Sequence, residues 1–364
     1  MADVAPVEMD QPGEVRAGEM PDLERLAGFL RGALPGFGEP LTLQQFSRGH
    51  SNLTYLVRSG NREAVLRRAP FGSKVKSAHD MLREYTVLRA LSPLYPKAPR
   101  PLVACEDPGV IGAPFYLMER VRGVILRGNR PPPGVELGPH RMWALSSALV
   151  DGLAELHALD VRRPEFATLG RPEGYVARQV AGWTERYLRA RTDEIPEIER
   201  AASWLAAHQP PERGAVLVHN DYKYDNLVLD PANPTRIVAV LDWEMATVGD
   251  PLMDLGTTLG YWIDPADPGE MRALPLGPTL LPGNLTRVEL VGHYAARSGR
   301  TVDGILFYYV FALCKIAAIA QQIYRRYKEG FTRDERFATL IASVRILGRQ
   351  ASRAIERGRI FDLS

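Results

Sequence analysis

The sequence predicts an α+β chain of two lobes, a small β-rich lobe followed by a larger, mostly α-helical one. Three observations point there. The chain has 364 residues, 45% of them hydrophobic, which is too long for one small domain and enough for two lobes around a cleft. Strand-like runs crowd into residues 41–68, whereas helix-periodic segments dominate from Trp143 onward. A polar loop, HNDYKYDN, is set between β-like apolar runs at 217–218 and 227–229. The expected boundaries are a loose tail over 1–20, an N-terminal lobe over 21–120 and a C-terminal lobe over 121–364.

The elements follow in order. Leu23, Leu26, Leu30 and Leu34 recur at helical spacing and predict a short amphipathic helix over 21–34. TLQQFSRGHSNLTYLVRSG reads as strand, turn, strand, with the turn near Ser47–Asn52, and REAVLRRA as a third strand. That turn is small and polar, with Gly49 in it. Its backbone N–H groups at Ser47, Gly49, Ser51 and Asn52 are candidates to cradle phosphate, and an ordinary hairpin is the alternative. Period-2 alternation puts Arg67 and Arg68 on opposite faces of the third strand. Ser77 to Leu91 reads as a helix whose apolar stripe of Met81, Leu88 and Leu91 also carries Glu84. A carboxylate on a buried face needs a partner, and Arg67 is the natural one. That pairing serves either to orient a phosphate-binding cation or as a plain structural salt bridge.

A Pro-rich connection over 95–104 leads to a strand in PFYLMERVRG, then to a Pro/Gly-rich loop over 127–139. Trp143 to Leu159 is helical, and His157 near its end reads as a packed or capping side chain. Residues 160–212 are an insertion carrying Arg186, Arg189 and Arg191, either a solvated helix face or contacts for an anion. Beyond about residue 280 the chain reads as α-helical.

Composition excludes several classes. Net charge is +2, which makes no case for nucleic-acid binding. Cys105 and Cys314 lie in apolar contexts without metal-ligand spacing, as expected of buried thiols in a reducing, cytoplasmic setting. The acidic N-terminus has no apolar signal core and is expected to be neither a secretion signal nor an anchor. The apolar stretch at 305–320 is broken by Lys315 and short for a span, so a buried helix is expected there and no membrane partner. Oligomeric state is left open.

The polar loop carries the chemistry. A carboxylate, Asp221, can accept the proton of an attacking hydroxyl. An ammonium two residues on, Lys223, can neutralise charge on a moving phosphoryl group, and the Asn226 amide oxygen is a hard ligand suited to Mg²⁺. Asp242 ends the next β-like run and is placed to hold another face of that ion. Glu244 lies near it, and Asp250 before Pro251 reads as a helix N-cap.

His219, Asp221, Lys223 and Asn226 match the H-x-D-x-K-x-x-N catalytic loop, and Asp242 in Asp-Trp-Glu matches the metal aspartate of D-F-G. On these residues the chain resembles the protein-kinase-like fold. HNDYKYDNLVLD followed by DWEMATVGDPLMDLG is similar to the aminoglycoside phosphotransferase superfamily, in the branch of kinase domains fused to acyl-CoA dehydrogenases. The likeness covers roughly residues 40–350 and is most specific over 217–256. It implies ATP and Mg²⁺ as cofactors, Asp221 and Lys223 as catalytic groups, and Asn226 and Asp242 as metal ligands. It puts Arg67 where the phosphate-binding lysine belongs, a solvated edge-strand arginine being the alternative. It puts main-chain adenine recognition at Glu119 and Val121, and makes Asp254 the brace of the catalytic loop. The sequence departs from protein kinases in lacking G-x-G-x-x-G and A-P-E.

Only twelve residues separate Asp242 from Asp254, leaving no room for an activation segment. A small-molecule hydroxyl substrate follows more naturally than a protein. Arginines at 186, 189, 191, 325 and 326, with Lys328, would repel a polycation if they face the cleft. The expected acceptor is therefore a hydroxy acid or hydroxyacyl-CoA. An aminoglycoside or choline-type kinase is the alternative within the class, and an inactive nucleotide-binding pseudokinase the alternative outside it.

Overall fold

The computed structural model describes residues 10–37, 40–46, 52–70, 81–332 and 334–364. Ser47, Gly49 and Ser51 of the expected phosphate turn lie outside the described residues, as does the expected helix start at Ser77.

The N-terminal lobe is a five-stranded antiparallel sheet with strand order β1-β2-β3-β5-β4. Its strands are β1 (Leu41–Gln45), β2 (Leu53–Ser59), β3 (Arg62–Arg68), β4 (Pro101–Cys105) and β5 (Phe115–Glu119). β2 and β3 join through a two-residue turn in which Gly60 takes a positive φ of 55°. Alternation sorts the two faces of the sheet. Tyr55, Val57, Leu66, Phe115 and Leu117 pack under helix α1 (Leu23–Ala33), against Leu26 and Leu30. Val65, Tyr116 and Met118 face the other way, against helix α2 (Met81–Leu91) and the main core.

β4 was not expected. Its run begins with Pro101, and proline is tolerated at a strand's first residue or on a sheet edge; β4 is both. The short helix α3 (Pro108–Ile111) leads from it to β5. Residues 10–20, expected to be a loose tail, instead dock on the sheet edge. Gly13 and Gln45 exchange backbone hydrogen bonds of 2.8 and 2.9 Å, and the Tyr55 hydroxyl donates to the Glu19 carbonyl at 2.6 Å.

The rest is mostly helical. It comprises α4 (Pro139–His157), α5 (Tyr175–Ala190), α6 (Pro196–Ala207), α7 (Pro251–Gly260), α8 (Gly269–Arg272), α9 (Arg287–Ser298), α10 (Ile305–Lys328) and α11 (Leu340–Arg357). Two small antiparallel pairs lie between α6 and α7: β6 (Val216–Val218) with β9 (Thr247–Gly249), and β7 (Leu227–Leu229) with β8 (Ile237–Val240). α7 starts as its sequence requires, Asp250 capping the Leu252 N–H at 2.7 Å ahead of Pro251.

α10 is apolar on nearly all sides and packs against α5, α7 and α11. By length and composition it could cross a membrane, but its apolar window is 72% buried inside the fold, as expected of a core helix. Gly256 lets α7 and α10 approach, since a Cβ there would lie 2.6 Å from the Tyr308 carbonyl oxygen. The segment that follows the N-terminal sheet is fastened to β7, Val124 and Leu229 exchanging hydrogen bonds of 2.9 and 2.8 Å.

Candidate active site

The catalytic loop runs from β6 to β7 and is held from below by one carboxylate. Asp254 of α7, fully buried, accepts the His219 and Asn220 backbone N–H groups at 2.6 Å each. Burial by itself would raise the Asp254 carboxyl, but a hydrogen bond from His157 and these amides hold it below the usual range. His157 bridges Asp254 at 3.2 Å and the Tyr294 hydroxyl at 2.7 Å, so it is a packed side chain, as its place near the end of α4 suggested. Asn220 has a φ of 66°, a left-handed conformation that asparagine tolerates better than most residues. Its side chain is fixed by the Tyr175 hydroxyl at 3.0 Å and the Met245 carbonyl at 3.0 Å.

The His219 ring sets the loop's other side. Nε2 contacts the Leu241 carbonyl at 2.9 Å and therefore carries the proton, which leaves Nδ1 to accept the Asp221 N–H at 3.2 Å. Asp221 follows with a nearly enclosed carboxylate. Lys223 Nζ donates to both of its oxygens at 3.0 and 2.8 Å, and Asn226 Nδ2 to one of them at 2.9 Å. Burial pushes the Asp221 carboxyl up, but Lys223 and then Lys315 hold it below the ordinary value, so it is ionised at neutral pH. The Asn226 amide nitrogen is thus committed to Asp221, and its oxygen has no protein partner among the described residues.

A second chain of contacts crosses between the lobes. Arg67 of β3 is 8% exposed and bonds Glu84 of α2 through one arm; the other arm reaches Asp242 at 2.9 Å. Glu84 also accepts the Trp243 N–H at 3.1 Å. The alternation read from the strand therefore puts Arg67 in the cleft, while Arg68 turns to the Ile111 carbonyl. Burial opposes the charge on Arg67, but Glu84 and Asp242 more than offset it. Asn52 donates to Glu244 at 2.6 Å and so ties β2 to the same place. Burial, then the charge on Asp242, push the Glu244 carboxyl well above the usual range, a sign of acids crowded beyond what Arg67 neutralises.

Arg83 on α2, which no sequence pattern flagged, adds a latch by donating to the Ala246 carbonyl at 2.7 Å and the Glu244 carbonyl at 3.2 Å. The two groups of contacts adjoin, because Leu241 N–H donates to the Asn226 carbonyl at 2.8 Å.

Among the described residues no three His, Cys, Asp or Glu side chains form a metal-binding group. Two hard oxygen donors open to an ion are the carboxylate of Asp242, whose side chain is 32% exposed, and the uncommitted amide oxygen of Asn226. Such a pair suits an ion that keeps waters and shares phosphate oxygens. At the lobe connection, Glu119 spends its N–H on the Arg100 carbonyl at 2.9 Å. Val121 packs with Ile125, Val228 and Ala239, an apolar floor beside the main chain. Gly123 is required there, because a Cβ would meet Val228 Cγ1 at 2.5 Å and the Leu229 carbonyl closer still.

The sequence profile of the phosphotransferase enzyme family matches residues 42–285, more than half of the chain, including Arg67, Glu84, the loop from His219 to Asn226, Asp242 and Asp254. The chain belongs to that family. This phosphotransferase is 35% identical to acyl-CoA dehydrogenase family member 11 of Gallus gallus over 88% of its own length and 42% of that protein's. It thus spans less than half the length of this curated relative. A structure from Ralstonia eutropha assigned as an aminoglycoside phosphotransferase superposes with a TM-score of 0.77 at 29% identity, covering 93% of this chain and 99% of that one. A thermostable mutant of aminoglycoside phosphotransferase APH(4)-Ia, in ternary complex with AMP-PNP and hygromycin B, shares the fold with a TM-score of 0.58. It is 17% identical over 89% of this chain and 97% of that one. The two-lobed, kinase-like α+β fold expected from the catalytic loop is the fold of this phosphotransferase.

The phosphotransferase also holds groups near Asp221 that sequence reasoning missed. Tyr261, at the end of α7, faces both Asp221 and Lys223, its ring centroid 4.3 Å from Lys223 Nζ. Lys315 of α10 is 2% exposed and donates to the Asn220 carbonyl. The only signal for Lys315 was a charge interrupting an apolar helix. The arginines expected to wall the cleft are mostly paired elsewhere: Arg189 with Glu185, Arg191 with Glu199 at 2.6 Å, Arg325 with Glu329 at 2.6 Å and Lys328 with Asp193 at 3.5 Å. Arg186 differs, lying over the Trp183 ring at 4.5 Å.

Proposed function

We propose that this phosphotransferase moves the γ-phosphoryl group of ATP to a hydroxyl of a small neutral or anionic molecule, such as a hydroxy acid or hydroxyacyl-CoA. One observation carries the reading: the Asp221–Lys223–Asn226 group of the C-terminal lobe adjoins the Arg67–Glu84–Asp242 chain from the N-terminal lobe. An ionised carboxylate can take a hydroxyl proton there, next to cations that can stabilise a migrating phosphoryl group. The solved relative that holds AMP-PNP supports ATP as donor.

In this reading Asp221 accepts a hydrogen bond from the acceptor hydroxyl. The hydroxyl oxygen bonds to the γ-phosphorus, the bond from that phosphorus to the bridging oxygen breaks, its electron pair leaves with ADP, and the proton ends on Asp221. Lys223 keeps Asp221 ionised and oriented, while Arg67, braced by Glu84, meets phosphate oxygens with a charge that does not titrate. Asp242 and the Asn226 amide oxygen would hold Mg²⁺. An ion held there would supply charge to offset that of the phosphates. Because the transition state is loose, holding the two oxygens in line counts for more than the strength of the base.

The acceptor class rests on charge. Lys223 and Lys315 lie near Asp221, Arg186 lies near Lys315, and a polycation would meet these cations unfavourably. The relative that carries an acyl-CoA dehydrogenase name agrees with an acid or thioester. Both cysteines are free thiols, which fits a reducing compartment such as the cytoplasm.

The test is a parallel assay of kanamycin, choline, free hydroxy acids and 4-hydroxyacyl-CoA with ATP and Mg²⁺. ADP release coupled to phosphorylation of the acids or thioesters is expected. Turnover confined to kanamycin or choline would reject the acceptor class, and ATP binding without any turnover would reject the enzyme.

A further inference from the structure

Among the described residues Lys315 is a buried charge with no ion-pair partner. It sits in the buried stretch of α10, 2% exposed, and makes one hydrogen bond, to the Asn220 carbonyl. Among the described residues no carboxylate lies within ion-pair distance of it. An ammonium has three donors, and a buried charge without a counter-ion is costly. Its neighbours are otherwise the Trp183 ring, 5.6 Å from Nζ, and the more distant charges of Asp221, Asp254, Lys223 and Arg186. Arg186 lies over the same indole, is exposed, and has no acidic partner among the described residues. Asp221, whose charge acts on Lys315, already bonds Lys223 through both of its oxygens.

We infer that Lys315 and Arg186, set around the Trp183 ring, form the subsite for an anionic group of the acceptor, a carboxylate, and so select acids over neutral alcohols at Asp221. This deepens the proposed function and rests on its hydroxyl-transfer reading. Position supports it: α5 supplies Trp183 and Arg186, α10 supplies Lys315, and both helices belong to the lobe opposite the nucleotide-side residues Arg67 and Glu84. Lys315 gives the enclosed point charge, and Arg186 the solvent-side fork that can bind a carboxylate through two N–H groups. Both cations contact the same indole, Arg186 at 4.5 Å and Lys315 at 5.6 Å from its centroid. Burial draws the Lys315 ammonium down to about 8, against the pull of Asp221 and Asp254, as expected of a cation that lacks its counter-ion.

The experiment compares full-length wild type, Lys315→Met and Arg186→Ala on the 2-, 3- and 4-hydroxybutanoates and on butane-1,4-diol, with ATP and Mg²⁺. For the hydroxybutanoate that wild type uses best, the ratio of kcat/KM for acid to that for diol should fall about a hundredfold in Lys315→Met. In Arg186→Ala, where the charge is exposed, the fall should be about fivefold, carried by KM for the acid. The KM for ATP should hold in both. An equal drop in kcat for acid and diol would make Lys315 a positioning residue for Asn220 and Asp221 and overturn the subsite. An unchanged acid-to-diol ratio would overturn it too, leaving the hydroxy-acid reading intact. Wild type that phosphorylates hydroxyacyl-CoA but none of the acids would overturn the carboxylate subsite and leave hydroxyl transfer standing, and wild type inactive on acids and thioesters alike would overturn both readings. If Lys315→Met does not fold, Arg186→Ala decides by itself, since its side chain is exposed.

Discussion

Asp221 shows how much one residue depends on what surrounds it. Its carboxylate bonds Lys223 and Asn226, its N–H is taken by His219, and its loop hangs from Asp254. Asn in its place keeps the shape and loses the base. Asp221→Asn should retain the thermal transition and ATP affinity while kcat falls about 10²–10⁴-fold; steady-state kinetics with the best acceptor is the check, and wild-type turnover would remove Asp221 from the chemistry. Arg67 was legible because strand alternation fixes its face, and Glu84 because a carboxylate on an apolar stripe must find a cation. Lys315 and Tyr261 were not legible as site residues. Neither belongs to a motif, and each reaches Asp221 through the packing of helices distant in sequence from the catalytic loop.

At the scale of elements, the catalytic loop is positioned by α7, and α7 is positioned by α10. Their contact depends on Gly256, where a Cβ would lie 2.6 Å from the Tyr308 carbonyl and 2.7 Å from its Cβ. The obstacle is backbone and cannot rotate away. Gly256→Ala should therefore cost about 1–3 kcal/mol by overpacking, despite alanine's better helix propensity. Urea denaturation reads the change, and a variant as stable as wild type would show that the two helices can part without loss. Because Asp254 lies two residues before Gly256 on the same helix, kcat should fall along with stability. Sequence periodicity located α1, α4 and α10, and the capping pair Asp250–Pro251 located the start of α7. It missed β4, because a proline-opened strand of five residues becomes a strand only by pairing with β5.

At the scale of the whole molecule, the two lobes are joined by polar contacts across the cleft: Arg67 to Asp242, Asn52 to Glu244, and Arg83 to the carbonyls of Glu244 and Ala246. All converge on the segment after β8, so Asp242 is both an anchor for the N-terminal lobe and the candidate metal ligand. Asp242→Ala removes a hard oxygen and frees one arm of Arg67. Mg²⁺-dependent ATP affinity should drop by at least tenfold, with a smaller change in metal-free binding. Calorimetry with and without Mg²⁺ separates the two, and equal Mg·ATP affinity in variant and wild type would exclude Asp242 as a ligand.

The sequence by itself determined the family and its class of chemistry, and it singled out the groups proposed to perform it. Spacing within a short loop, the acid ending the next strand and the brace twelve residues later are local constraints written in consecutive residues. The expectation of a loose tail reached too far, since pairing of Gly13 with Gln45 depends on a sheet edge that no local pattern reveals. Only the tertiary structure decided which charges lie beside Asp221 and its loop. Arginines that looked available in sequence are neutralised at the surface by Glu185, Glu199 and Glu329, whereas a lysine within an apolar helix comes to lie beside the catalytic loop. The reason is physical: a motif is fixed by bonds along the chain, but the charge at a site is a sum over whatever side chains packing brings near, and packing is settled by contacts between residues far apart in sequence.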